Sequence, residues 1–306
     1  VATYLKTAGA HHGLPIARLK QMNPLAIELY KRYKVDITND PLEFAVNNQH
    51  MNGGIAVDTW GRTNVDGVYA VGEAAGTHGA TRPGGSALNA GQVFGTRVAE
   101  HIAASGRALT APQGDVTEKV CKCIADIDAV LRPDSRHHAR DIRDDIQARM
   151  SDLAGILCTP DGVATGLKDA AILNDEIRLK GISYTRKNEV VRVLQWQQMA
   201  IASQAVLAAL DHYIASGGGS RGARAICDPA GSALPNSVHG PLPDQRFRAE
   251  RDIDKDTQII TRLNGADFII TTRPNRTFDD ADKAFFERDW PDWLTGGIYD
   301  LATERA

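Results

Sequence analysis

Residues 49–103 read QHMNGGIAVDTWGRTNVDGVYAVGEAAGTHGATRPGGSALNAGQVFGTRVAEHIA, and the reading of this stretch decides the fold. Twelve of the 28 glycines fall within residues 53–106, which marks a segment where backbone turns tightly or approaches a ligand closely. Residues 55–58 (Ile-Ala-Val-Asp) and 68–71 (Val-Tyr-Ala-Val) predict two short strands joined through a polar turn at Gly61, the second running into Gly72-Glu73. A carboxylate at the carboxyl end of a buried strand is well placed to hydrogen-bond a sugar hydroxyl. The small residues after Arg82 precede a helix predicted from about residue 86 to residue 104, whose unpaired N–H groups attract an anion or a developing negative charge.

Outward from this stretch the texture changes. Residues 16–33 carry apolar side chains at helical spacing, with Asn23-Pro24 as a helix start and Asn39-Asp40-Pro41 as a link. Downstream, Ile142, Ile146, Met150 and Leu153 form one amphipathic row, and Val163, Leu167, Ala170, Leu173 and Ile177 a second. Val190, Leu194, Ile201 and Leu210 form a third that stops at Gly217-Gly218-Gly219. Three such helices with short turns predict a bundle. Residues 258–262 and 268–272 read as strands around an Asn264-Gly265 hairpin turn. The aromatics Phe285, Phe286, Trp290 and Trp293 are expected to clamp the tail onto the body.

The 306 residues suffice for two domains with a real core. With 42% hydrophobic residues, 24% charged residues and a net charge of -3, nucleic acid is not the expected partner. No apolar run is long enough to span a bilayer. Four scattered cysteines (Cys121, Cys123, Cys158, Cys227) make no disulfide framework, and Cys121 and Cys123 diverge on either a helix or a strand. His11-His12 and His137-His138 lack a carboxylate at ligand spacing and read as solvated surface, so no metal is expected. The charged run 132–149 reads as the solvated face of its helix. Ser220-Arg221-Gly222 is explained as a helix C-cap. His78 reads equally as a turn histidine or as one that orients a ligand, and Trp60 equally as cleft lining or as a hairpin plug.

The motifs Gln49-His-Met-Asn-Gly-Gly-Ile55 and Gly72-Glu73 through His78-Gly-Ala-Thr-Arg-Pro-Gly-Gly-Ser-Ala-Leu88 resemble a known family. It comprises the flavoproteins of succinate dehydrogenase, fumarate reductase and L-aspartate oxidase, whose usual texts run H-Y-T-M-G-G-I and G-E-x-x-x-x-H-G-A-N-R-L-G-G-N-S-L. The likeness continues through residues 142–150 and 220–224 into that family's helical domain, covering roughly residues 1–226. It implies an α+β fold: the C-terminal part of a Rossmann-like FAD-binding domain, a three-helix bundle domain and a small β-hairpin tail. The implied boundaries are 1–45 (end of a capping domain), 46–110, 111–226 and 227–306.

The resemblance implies an FAD-dependent oxidoreductase that transfers hydride between flavin N5 and a small carboxylate- or carbonyl-bearing substrate. Gly72, Glu73, Arg82, Gly85, Ser86, Ala87 and Leu88 would bind FAD. Glu73 would take a ribityl or ribose hydroxyl, and the backbone of Ser86, Ala87 and Leu88 would cradle the ring. His50 and Arg82 would be catalytic, Arg82 gripping a substrate carboxylate. His50 stands one place nearer the glycine pair than in the usual motif, with Gln49 at the family's histidine position. No Gly-x-Gly-x-x-Gly follows an early strand, and neither Arg18 nor Arg32 matches the family's proton-delivering arginine. The expectation is therefore a carboxyl-terminal half that needs an N-terminal flavoprotein half or an electron-transfer subunit, cytoplasmic or peripheral to a membrane complex. The competing expectation is a non-catalytic assembly module that docks a partner chain.

Overall fold

The computed structural model describes residues 7, 14–42, 50, 53–79, 86–105, 115–222, 224–233, 245–275, 277 and 283–297. The chain divides into two compact units, residues 1–49 and 50–306.

In the first unit the expected single helix is two, α1 (Pro15–Met22) and α2 (Pro24–Arg32). Asn23 ends α1 with a non-helical backbone (φ -148°, ψ 71°), and its side chain accepts the Ala26 N–H at 3.3 Å. Pro24, lacking an N–H, takes the first position of α2, where none is needed. Capping thus converts one apolar row into two short helices, of which Ile27 is the buried residue.

The second unit begins at the glycine-rich stretch. The two predicted strands do not form there. Asp58 instead closes an Asx-type turn, its carboxylate accepting the Trp60 N–H at 2.8 Å and the Arg62 N–H at 3.0 Å. The Ile55 N–H goes to Ala74 O at 2.8 Å rather than to a ladder partner. What remains is a narrow loop with one bridge, Arg62 to Tyr69, flanked by Thr63 N–H to Val68 O and Ala70 N–H to Gly61 O. A 3-10 turn (Gly72–Ala75) follows, then α3 (Ser86–Ala104), whose limits are those expected.

The bundle is built from α5 (Ala139–Leu153), α6 (Pro160–Lys180) and α7 (Val190–Ala215), preceded by a further helix, α4 (Val116–Val130), in which Val116, Val120, Ile124 and Ile127 recur at helical spacing. Ile142, Ile146, Leu173, Ile177, Ile182, Val193 and Ala200 form one core cluster; Cys158, Val163, Ala170, Leu207, Leu210, Ile214 and Ile226 form a second. In α7 the buried stripe is Val193, Ala200, Leu207, Leu210 and Ile214, so Val190, Leu194 and Ile201 sit on its flank. This helix is apolar on nearly all sides, and periodicity then names no face.

Caps and polar links set the helix ends. Asp115, Thr159 and His138 accept first-turn N–H groups of α4, α6 and α5 respectively. His137 lies 3.3 Å from Glu176. The pair His137-His138 is thus a cap and an ion-pair partner rather than plain solvated surface. Arg149 also departs from the expected solvated face: it is 7% exposed and donates to Asp145 at 2.7 Å. Cys121 and Cys123 are exposed on α4.

Two small sheets complete the unit. β1 (Leu157–Cys158) runs parallel to β2 (Ala225–Ala233), which pairs antiparallel with β3 (Arg246–Phe247) across a register break between Cys227 and Ser232. The hairpin β4 (Thr257–Asn264) and β5 (Asp267–Pro274) closes at Asn264–Asp267 around Gly265-Ala266, with Gly265 at φ 65°. Gln204 of α7 reaches Ala266 O at 3.4 Å and holds the turn against the bundle. Ser220 and Arg221 do not cap α7. Ser220 joins Arg248 O and Ile226 N–H, and Arg221 pairs with Glu250 at 3.0 Å. In the tail, Trp293 of α8 (Trp290–Thr295) stacks with Trp290 and donates to Glu100 of α3 at 3.2 Å, while Phe286 is exposed.

Candidate functional site

The site is assembled by backbone contact between glycines. A Cβ on Gly54 would lie 2.3 Å from Ala74 O, and one on Gly76 would lie 2.1 Å from the carbonyl carbon of Gly53. Gly76 also has φ 61°, open to glycine at no steric cost. Residues 53–54 therefore lie flush on the end of the 3-10 turn. On its other side, Gly72 (φ 63°) faces Gly91 of α3, where a Cβ would meet Gly91 Cα at 3.3 Å. Three glycines, Gly54, Gly72 and Gly76, thus let the segment at residues 53–54, the tight turn and α3 meet without side chains between them.

This closeness brings His50, Glu73 and His78 together. His78 Nδ1 lies 2.7 Å from His50 Nε2, with ring centroids 4.6 Å apart at 64°. Glu73 Oε1 lies 3.7 Å from the same His50 Nε2. The His50 side chain is 5% exposed and that of Glu73 68% exposed, so the carboxylate stands at the rim beside a buried His50 and a half-buried His78. His78 Nε2 is buried with no hydrogen-bond partner among the described residues.

Of the expected site residues, His50, Gly72 and Glu73 converge here, and Ser86, Ala87 and Leu88 open α3, with Leu88 78% exposed. Arg82 and Gly85 lie outside the described residues. His78 joins the site although the sequence leaves its role open. Its partner is 28 positions away, and only the His-Gly text after the turn hints at it. Trp60 packs on α3, 5.3 Å from the His101 ring and 5.5 Å beneath the Arg97 guanidinium, and so plugs the loop. No group of three or more potential metal ligands occurs among the described residues.

A second feature of this unit is a cleft of about 730 Å³ whose lining includes Asp58, Arg62, Tyr69, His101 and Arg273. Tyr69 Oη contacts His101 Nδ1 at 3.2 Å. Partial burial pushes the Asp58 carboxyl up, but hydrogen bonds from Arg62 and from the Trp60 backbone outweigh it and hold the group below the ordinary carboxylate value.

The residues present fit the ring and ribityl end of FAD by their donor set and shape. An exposed carboxylate, Glu73, stands within the turn, and the Gly72 backbone lies directly against Gly91 of α3. Among the described residues no helix is long and apolar enough to cross a membrane.

A family model described as an FAD binding domain matches residues 7–88, which indicates FAD as the cofactor. The chain is 38% identical over 122 residues to a fumarate reductase (CoM/CoB) subunit of Methanothermobacter marburgensis, a match covering 39% of this chain and 22% of that protein. It is 32% identical over 150 residues to the L-aspartate oxidase of Streptomyces coelicolor, covering 46% and 24% respectively. The structure of the E. coli quinol fumarate reductase flavoprotein superposes with a TM-score of 0.66 at 22% identity, covering 90% of this chain and 45% of that one. The chain thus spans less than half the length of the proteins it matches. In sequence it is similar to fumarate reductase and L-aspartate oxidase proteins, and in fold to the quinol fumarate reductase chain.

Proposed function

We propose that this chain is the substrate-side portion of an FAD-dependent oxidoreductase acting on a small carboxylate- or carbonyl-bearing molecule. The observation that carries the reading is the meeting of His50, Glu73 and α3, at Gly91, around the Gly54, Gly72 and Gly76 contacts. Glu73 would accept a hydrogen bond from a ribityl or ribose hydroxyl, and the backbone of Ser86, Ala87 and Leu88 would face the ring. When bound, FAD supplies a hydride donor or acceptor at flavin N5. His50 would hold the substrate's carboxylate or carbonyl oxygen, and Arg82 would give the charged clamp. Division at residues 45, 110 and 226 into capping remnant, flavin-binding part, bundle and tail belongs to the same reading. So do a cytoplasmic or membrane-peripheral place and a partner chain, either a flavoprotein half or an electron-transfer subunit. The relative from Methanothermobacter is named as one subunit of its enzyme, which supports a partner chain.

The test is the visible spectrum of the complete gene product after reconstitution with FAD. Flavin bands that stay with the protein through gel filtration are expected, with at least a tenfold weaker FAD affinity for Glu73→Ala. Absence of bound flavin would end the reading. Assays of fumarate and other enoates, then of α-hydroxy and α-amino acids, with His50→Gln and Arg82→Ala as controls, identify the substrate class.

A further inference from the structure

We propose that the exposed apolar row of α4 is a dimer surface, on which a second copy of this chain lays its own α4 antiparallel. The helix is anchored at one end, where Val130 is buried in the first core cluster, while residues 115–129 are all exposed. Asp115 caps the other end by accepting the Thr117 N–H at 2.8 Å, so the exposed length is a closed helix turn by turn. That length is not polar all round. Val116, Val120, Ile124 and Ile127 are 38–53% exposed, and the exposed Cys123 lies in the same stripe. Val116, Val120, Cys123 and Ile127 are separated by four, three and four residues, the alternation of a seam along which two helices interdigitate. The far side carries Glu118, Lys122 and Asp128. A helix that faces only water needs no such seam.

The charges beside the seam specify its occupant. Lys119 and Asp126 are one heptad apart on the same flank of the row. An antiparallel copy with Val120 opposite Cys123 also sets Val116 opposite Ile127, and it brings Lys119 of each copy beside Asp126 of the other. Two-fold symmetry makes that ion pair twice. On the other flank the same register sets Ile124 against Thr117, so its methyl groups are covered and no charge is buried. A parallel pairing would instead set Lys119 beside Ile124 and Asp126 beside Leu131, matching neither charge. Asp126 also lies 4.0 Å from Lys122 one turn earlier, a fully solvated pair that is worth little and leaves the carboxylate open to a second cation. The row is thus complementary to itself in both shape and charge. A 15-residue helix is about 22 Å long and supplies four layers, an interface at the small end of specific ones, so the dimer forms and dissociates with concentration.

Sedimentation velocity of the full 306-residue chain between roughly 1 and 200 µM tests it. A shift from monomer to dimer across that range is expected. Val120→Asp is expected to weaken the dimer by about tenfold or more, since symmetry makes each substitution act at two contacts, with the thermal midpoint of the dilute chain unchanged. Leu179→Asp, at an exposed leucine of α6 outside the seam, leaves the dimer as it was. Lys119→Glu dissociates it by setting Glu against Asp126, and the double variant Lys119→Glu, Asp126→Lys restores it with the charges exchanged. That restoration requires contact between two copies in the antiparallel register. A monomer at every concentration overturns the proposal, as does a dimer indifferent to Val120→Asp or a folded double variant that stays dissociated. A monomer in which Val120→Asp lowers the thermal midpoint overturns it too, because another part of the same chain then covers the row.

Discussion

Gly76 shows what one residue decides. Its φ of 61° is left-handed, and a Cβ there would meet Gly53 backbone at 2.1 Å. Gly79 is also left-handed, at φ 74°, but has open space around it. Gly79→Ala is expected to lose only the backbone cost of roughly 1–2 kcal/mol. Gly76→Ala is expected to lose more than that and to expose the Ile55 amide, which now donates to Ala74 O. Urea denaturation and amide exchange of Ile55 read the two outcomes. Gly54 and Gly76 are visible in the sequence as glycines, but which of them touch backbone depends on contacts twenty or more residues apart. The same distance hides the partnership of His50 and His78.

Asp254 is a second residue with a measurable signature. Hydrogen bonds from the Arg251 guanidinium hold its carboxyl below the ordinary value, and Tyr213, pushed up to about 12 by burial and by Asp254, donates to it at 3.2 Å. A carboxyl lowered by folding contributes stability above its unfolded value of about 4, and that stability is lost as pH falls through the lowered folded value. Asp254→Asn is therefore expected to be less stable at neutral pH and to lose less between pH 5 and 3 than the parent. Urea midpoints measured across that range check the sign.

Among elements, burial separates helices that look alike in sequence. Leu207 of α7 is fully buried, whereas Ile124 of α4 is 53% exposed in a row with Val116, Val120 and Ile127. Leu207→Ala is expected to cost about 2–5 kcal/mol, because it leaves a cavity. Ile124→Ala should stay within about 0.5 kcal/mol. Chemical denaturation distinguishes them, and equal losses would contradict the assigned burial. The helices α5 and α6 are legible because their caps and apolar rows agree, and α3 because small residues precede it. In α7 the buried row lies beside the one that spacing suggests, since a helix apolar on most sides offers several equivalent stripes. The strands expected at residues 55–58 and 68–71 have the right composition, yet Asp58 satisfies the neighbouring N–H groups locally and leaves no ladder.

At the scale of the molecule, Arg248 links parts distant in sequence. Its guanidinium donates to Ile214 O and Gly218 O at the end of α7 and to Asp228 on β2. Arg248→Ala is expected to cost about 1–3 kcal/mol by leaving those carbonyls unpaired, measured as a fall in the thermal midpoint. Two unfolding steps in place of one would show that the arginine also couples the sheet to the bundle.

The sequence alone determined the helices with matching caps, the Gly265 hairpin, and the text of an FAD-binding segment, because each rests on neighbours a few residues apart. Tertiary structure decided which glycines carry close backbone approach, which face of α7 is core, that Arg149 is buried, and that His78 meets His50 beside Glu73. Those outcomes depend on surfaces brought together across the fold, where shape and charge select one among several local options that the chain leaves equal.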